Sequence, residues 1–191
     1  MVTYSSGFVG SFKLGDNIVH NFEILRELYA IQKTGTQAQA EILRKPIVVI
    51  IGSIAEAILY DLYVVKISSF TREGVPNIPQ AALDEIRTKT IDEFAIYISN
   101  ARSNSLLGTT VELYDALDEL RKLRNRVHIQ NAKGHFEPDE PVAFSEKRQR
   151  DAETTLEQLI DHMCKNHLRT KSRQCVADFE LPWVTRLTAS H

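Results

Sequence analysis

Cysteine is nearly missing from this chain: there are two in 191 residues, Cys164 and Cys175. That is too few for a disulfide framework at this length, and it suits a reducing compartment. Net charge is also slight, with 23 basic residues against 25 acidic ones and a formal charge of -2. Such a balance excludes a protein coated in nucleic acid like a histone, while leaving room for a local basic site. The glycines form no phosphate loop, because Gly7, Gly10 and Gly15 lack the lysine and following helix that such a loop requires. Long hydrophobic runs are missing too. The most apolar segment, from Ile47 to Tyr60, contains Glu56 and is followed by Asp61, so it reads as a buried helix and not a bilayer span. The N-terminus, Met1-Val-Thr-Tyr-Ser-Ser-Gly7, has neither the basic start nor the apolar run of a secretory signal. The expected location is the cytoplasm, with no membrane partner.

What is present is helical periodicity. Hydrophobic residues make up 43% of the chain, enough for one domain with a self-supporting core. Apolar residues recur at Ile18, Phe22, Leu25, Leu28 and Tyr29, predicting a helix from Asn17 to near Lys33, capped by Asp16 or Asn17 and ended by Gly35. A second helical stretch runs from Thr36 to near Ser69, and Pro46 should kink or split it. The β-branched run from Ile47 to Ile51 has strand propensity, but Ile54, Ile58, Leu59, Leu62 and Val65 continue at helical spacing. Glu73 to Pro79 reads as a loop. A third helix is expected from Gln80 through Ile98, with Ala82, Leu83, Ile86, Ile91, Phe94 and Ile98 inward, then a turn from Asn100 to Gly108.

Thr109 or Thr110 should cap a fourth helix, with Glu112 in its first turn and Leu113, Ala116, Leu117, Leu120, Leu123 and Val127 buried. After a polar loop from Gly134 to Pro141, a fifth helix carries Leu156, Leu159, Ile160 and Met163 and ends near His167. From Ser172 onward periodicity is lost, although Phe179, Leu181, Pro182 and Trp183 could pack back. No repeat and no sheet-like alternation is visible. The expected fold class is all-α, an up-and-down bundle of about five helices. It divides into an N-terminal arm (1–16), a helical bundle domain (17–168) and a C-terminal tail (169–191).

The segment from Arg121 to His128 is the part best suited to chemistry. At ~100° per residue, Tyr114, Asp118, Arg124, Asn125 and His128 all fall within about 60° of Arg121, beside the apolar stripe of Leu120, Leu123 and Val127. Asp118 can pair with Arg121 or Lys122, and the Tyr114 hydroxyl can join the edge. A histidine titrating near neutrality takes or gives a proton at cellular pH. Guanidinium groups bind phosphate oxygens through paired hydrogen bonds and stabilise the charge that builds on them. In RNA the 2'-hydroxyl is an internal nucleophile, so cleavage requires only proton transfer and charge stabilisation, with no metal or other cofactor. His128 is the candidate general base or acid, and Arg124 and Arg121 are the candidate ligands of the scissile phosphate. Asn125 would orient, and Arg126, Lys122 and Tyr114 would add substrate contacts.

Here the chain resembles the HEPN superfamily, all-helical proteins whose ribonuclease members carry an arginine and a histidine separated by four to six residues on a late helix. Arg121 and His128 have six residues between them. The family often places a polar residue directly after an arginine, as in Arg124-Asn125, where only three residues intervene before His128. Which arginine is primary therefore stays open; Arg124-Asn125 working alongside Arg121 is the favoured register. The resemblance implies a homodimer that brings two motif helices to one cleft. It further implies an endoribonuclease leaving a 2',3'-cyclic phosphate, a role as a toxin or in phage defence, and an antitoxin or other defence partner. One toxin branch has a tyrosine two residues after the histidine, where this chain has Gln130. The competing reading is a non-catalytic bundle of the same kind that binds RNA or a protein.

Other groups have plainer explanations. Lys165, Arg169, Lys171 and Arg173 could grip an RNA backbone, but a charged helix end explains them more simply. Lys147, Arg148 and Arg150 fit a solvated first turn. His162, Cys164, His167 and Cys175 match no standard zinc spacing, since His162 and Cys164 diverge by ~200° on one helix. Cys164 is expected to be a small buried apolar residue. Glu56 and Asp61 also diverge and are expected on an exposed side of the second helix.

Overall fold

The computed structural model describes residues 2–63, 78–88, 93–127, 139–169, 176–184 and 187. Among the described residues the fold is all-α apart from one short strand pair. In chain order the elements are β1 (Thr3–Tyr4), α1 (Phe12–Thr34), α2 (Gln37–Tyr60), α3 (Gln80–Arg87), α4 (Phe94–Ser103), α5 (Val111–Asn125), α6 (Glu140–Ala143), α7 (Glu146–Asn166) and β2 (Phe179–Glu180). No helix among the described residues is long and apolar enough to cross a membrane.

α2 is the hub. α1, α4, α5 and α7 all pack against it, and it buries Ile47, Val48, Ile51, Ile54, Ala55, Ile58 and Leu59. This is why its sequence from Ile47 to Leu59 is apolar nearly all round: a helix surrounded by others has little polar face to keep. Its start is set by a capping box, in which the Thr36 hydroxyl accepts from Gln39 N and the Gln39 side chain accepts from Thr36 N. Pro46 neither splits nor ends the helix. The proline removes one amide donor, and the carbonyl left over belongs to the turn of Ile42, which is well exposed, so water can serve it.

Several predicted boundaries are corrected. α1 starts at Phe12, ahead of the expected Asp16 or Asn17, because the Ser11 hydroxyl accepts from Leu14 N at 3.4 Å and caps it there. Gly15 then lies inside the helix. An added Cβ would sit 2.4 Å from Val176 Cγ2, so this glycine is a point of close approach and not a breaker. The expected third helix is two helices, α3 and α4, and the expected turn from Asn100 begins only after Ser103. α6 is a short helix that takes up the last two residues of the expected loop and the two after it, and α7 begins separately at Glu146. Val127 is 47% exposed, not buried, because α5 ends at Asn125 and the chain turns away. Ile91 and the ends expected near Ser69 lie outside the described residues.

A small antiparallel sheet also forms where none is expected. Thr3 pairs with Glu180 and Tyr4 with Phe179. Strands of two residues are too short to show alternation in sequence. They join the two ends of the chain, and Phe8, Phe179, Leu181 and Trp183 enter the core with Phe22 on α1.

Candidate functional site

α5 carries the arginine cluster at its C-terminal end. Leu113, Leu117, Leu120 and Leu123 face inward, fixing the rotation of the helix and leaving Arg121 and Arg124 at the margin of its buried face. The crossing with α2 is close. A Cβ added to Gly52 would lie 2.8 Å from Arg124 Cβ and 3.6 Å from Leu120 Cδ1, so glycine is what permits this spacing.

At that crossing the Arg124 Nη2 donates to Glu56 Oε2 at 2.5 Å, and its Nη1 donates to Asn125 Oδ1 at 3.2 Å. Both members of the pair are partly covered, at 31% exposure for the arginine side chain and 24% for the glutamate. Burial raises the Glu56 pKa, and the opposing pull of Arg124 does not cancel it. The expectation that Glu56 lies idle on an exposed side is corrected: it is the residue that holds Arg124.

One turn back, Arg121 Nε donates to Asp118 Oδ1 at 2.8 Å. Lys122 Nζ lies 3.1 Å from Asp118 Oδ2 and 2.6 Å from Glu119 Oε1. Partial burial of Asp118 is outweighed by its bonds to Arg121 and Lys122, so its pKa is lowered. Those to Glu119 and Asp118 raise the pKa of Lys122. Arg126, just past the helix, lies 3.3 Å from Glu140 Oε1. The other oxygen of Glu140 accepts from Lys45 Nζ at 2.5 Å, and that ammonium lies 5.6 Å from the Phe144 ring centroid. The structure thus brings Arg121, Lys122, Arg124, Asn125 and Arg126 to one end of α5, each held by a defined partner. His128 and Gln130 lie outside the described residues.

Tyr114 does not join this edge. It is 2% exposed, its hydroxyl donates to Gly108 O at 2.7 Å and it accepts from Leu107 N at 3.0 Å. The tyrosine fastens the turn before α5, where Gly108 has a φ of 86°. Burial raises its pKa against the pull of the Leu107 hydrogen bond and Arg102.

Compared with protein families, with curated proteins and with solved structures, the chain matches none. The chemistry of the cluster therefore rests on its own geometry.

The remaining candidates are placed as follows. His162 and His167 both direct Nε2 at Leu106 O, at 3.2 and 2.9 Å, and burial lowers the His162 pKa. The Cys164 Sγ is only partly buried and donates to Ser5 O at 3.2 Å. Of the basic run, Lys165 pairs with Asp161, and Arg169 ties down the N-terminal loop through Gly7 O and Gly10 O. Lys147 and Arg150 pair with Asp151 and Glu146 on their own helix. Lys171, Arg173 and Cys175 lie outside the described residues. Asp61 is wholly buried, against expectation, because its carboxylate accepts from Gly10 N and Ser11 N at 2.8–3.0 Å.

Sequence reasoning missed Glu56 and Glu140 as partners of the cluster. Glu140 follows the arginines by little, yet nothing local links it to them. Glu56 precedes Arg124 by 68 residues, and only the α2–α5 crossing brings them together.

Proposed function

We propose that this chain is a metal-independent endoribonuclease on an up-and-down, HEPN-like bundle, with Arg124 and Asn125 as the phosphate-binding corner of its site. The observation that carries this reading is the anchoring of the Arg124 guanidinium, by Glu56 across the helix crossing and by Asn125 alongside. Catalysis by charge stabilisation needs donors held in place before the charge develops. A half-covered guanidinium with fixed orientation meets that need, whereas a solvated arginine loses rotamer freedom on binding. Arg121 lies one turn back on the same helix and uses only Nε for Asp118, leaving its terminal nitrogens to face phosphate oxygens.

In this reaction His128 takes the proton of a 2'-hydroxyl. The oxygen attacks the adjacent phosphorus, the bond to the 5'-oxygen breaks, and the departing oxygen is protonated by the imidazolium formed or by its counterpart in a second subunit. The products are a 2',3'-cyclic phosphate and a free 5'-hydroxyl. The charge that builds on the phosphoryl oxygens falls to Arg124 and Arg121, while Arg126 and Lys122 hold the flanking backbone. A homodimer sharing one cleft belongs to this reading, as do a toxin or phage-defence role, an antitoxin or similar partner, and a cytoplasmic location.

The second reading, a non-catalytic RNA-binding or protein-interaction bundle, is favoured by one feature. Every described cation of the cluster already has a carboxylate partner, so a phosphate must compete with these partners.

RNA incubated in chelator with wild type, His128→Ala and Arg124→Ala separates the two. The enzyme reading expects cleavage with cyclic-phosphate ends, and a loss of about 100-fold or more in each variant. Wild type that binds RNA but leaves every RNA intact, or His128→Ala as active as wild type, overturns it.

A further inference from the structure

The two histidines at the end of α7 converge on one acceptor, Leu106 O, in the turn between α4 and α5. His162 Nε2 lies 3.2 Å from it and His167 Nε2 lies 2.9 Å from it, with the ring centroids 5.6 Å apart. A carbonyl oxygen can only accept, so each Nε2 carries a hydrogen. The other nitrogen of His162 is constrained as well. Asn166 Nδ2 lies 3.0 Å from His162 O and 3.3 Å from His162 Nδ1. The backbone oxygen needs a donor there, which fixes the amide nitrogen in that place and presents a donor to Nδ1. Nδ1 therefore accepts, and the arrangement suits the neutral ring with its hydrogen on Nε2.

A second proton on His162 can enter only at Nδ1, where it would meet the N–H of Asn166. Donor would then oppose donor, and either the amide or the ring must turn away. The charges around the ring do not remove this conflict. On α7 itself Asp161 favours the charged form and Lys165 opposes it, and these two are paired with each other at 2.7 Å. His167 shares the acceptor. Among the described residues, the α4–α5 turn contributes Asn104, Ser105 and Gly108 and the segment before α3 contributes Ile78 and Pro79, none of which titrates. Burial outweighs both the Leu106 bond and Asp161, and it lowers the pKa of His162.

The turn that these histidines hold is the mounting of α5. Leu106 O is fastened from α7, while Leu107 N and Gly108 O are fastened by Tyr114 Oη from α5. Ser105, with a φ of 51°, takes a left-handed conformation that costs an L residue stability, so bonds from outside the turn are needed to hold it. We propose that His162 is a proton-operated latch on this turn: neutral, it fastens Leu106 to the end of α7, and protonated, it releases Leu106 and loosens the entry to α5. A groove of about 170 Å³ beside the ring gives water access to it. The folded chain binds this proton less readily than the unfolded one. The latch therefore contributes fully above the ordinary 6.5 and is lost as pH falls through the lowered folded value. It is separate from the arginine cluster and does not depend on ribonuclease activity.

His162→Gln is the diagnostic variant, since its side-chain amide supplies an N–H for Leu106 O and does not titrate. Hydrogen exchange is followed in the full chain at the amides of Leu107 and Gly108, which bond to Tyr114 Oη and Ser105 O. Rates are taken from about pH 7.5 to about pH 5 and corrected for the intrinsic pH dependence of exchange, and the His162 ring is titrated by NMR alongside. The expected midpoint of the ring lies below 6.5. Protection of both amides should fall about fivefold in wild type through that midpoint, as loss of one hydrogen bond implies, and should stay level in His162→Gln. Circular dichroism checks that the variant folds; where it does not, the wild-type comparison of amide protection with the ring midpoint decides alone. Protection that ignores pH, that falls equally in both proteins, or that falls away from the ring midpoint overturns the proposal. So does a midpoint at or above 6.5.

Discussion

The guanidinium of Arg124 and the carboxylate of Glu56 meet at 2.5 Å across the α2–α5 crossing, 68 residues apart in the chain. Beneath this pair is Gly52, one turn before Glu56 on α2, where an added Cβ would lie 2.8 Å from Arg124 Cβ. The position of the guanidinium is therefore set by the spacing of two helices and by one carboxylate, and both can be altered separately.

Gly52→Ala tests the spacing. On helix propensity alone, alanine inside a helix is worth about 1 kcal/mol over glycine. Here the new methyl would lie 2.8 Å from Arg124 Cβ, and overpacking of this kind costs ~1–3 kcal/mol. The clash is expected to win, lowering the thermal midpoint. A midpoint that rises would mean that the two helices can separate at little cost.

Glu56→Gln tests the carboxylate. Burial lifts the pKa of Glu56 in the folded protein above its ordinary 4.5, so in the window above 4.5 the folded state binds this proton more than the unfolded chain does. The contribution of Glu56 to stability is then fully present below that value and declines as pH rises through the raised folded pKa. Urea unfolding of wild type and variant, compared between about pH 4 and pH 7, should show the wild-type advantage shrinking with rising pH. An advantage that grows over this range would mean that attraction to Arg124 exceeds desolvation.

Tyr114→Phe separates support from chemistry. It removes two hydrogen bonds and leaves Leu107 N–H without its acceptor in a buried turn, a loss of about 1–3 kcal/mol. Unfolding experiments should register that loss, while RNA cleavage, measured below the unfolding range, should keep its rate. A selective fall in rate with unchanged stability would return Tyr114 to the site.

Cys164 is expected to be a sluggish nucleophile. Burial, followed by the nearby Asp161 charge, pushes its thiol up to about 11, so thiolate is scarce at neutral pH. Mass-spectrometric mapping of iodoacetamide adducts should show slow labelling of Cys164 in the folded protein, accelerating with pH and on unfolding. Equal rates in folded and unfolded protein at pH 7 would refute this.

Legibility varied with the range of the interaction. The stripe of α7 (Leu156, Leu159, Ile160 and Met163) and the inward leucines of α5 follow from spacing along one helix, and all are buried. The Asp118–Arg121 pair was legible for the same reason, being three residues apart on one helix. Where a boundary depends on a single cap, as at Ser11, several polar residues nearby compete and spacing does not choose among them. The β1–β2 pair left no pattern, because two residues cannot alternate visibly.

By itself, the sequence determined that the chain is helical, which faces of α1, α5 and α7 are apolar, and that arginines gather at one end of α5. These are consequences of periodicity and local bonding within a few turns. The tertiary structure alone decided that Glu56 is the anchor of Arg124, that Tyr114 faces a turn and not the cluster, and that Asp61 is a buried acceptor for the loop before α1. Each of these depends on where distant segments cross. A crossing is fixed by the packing of whole helices around α2, a sum over many contacts that no local pattern encodes.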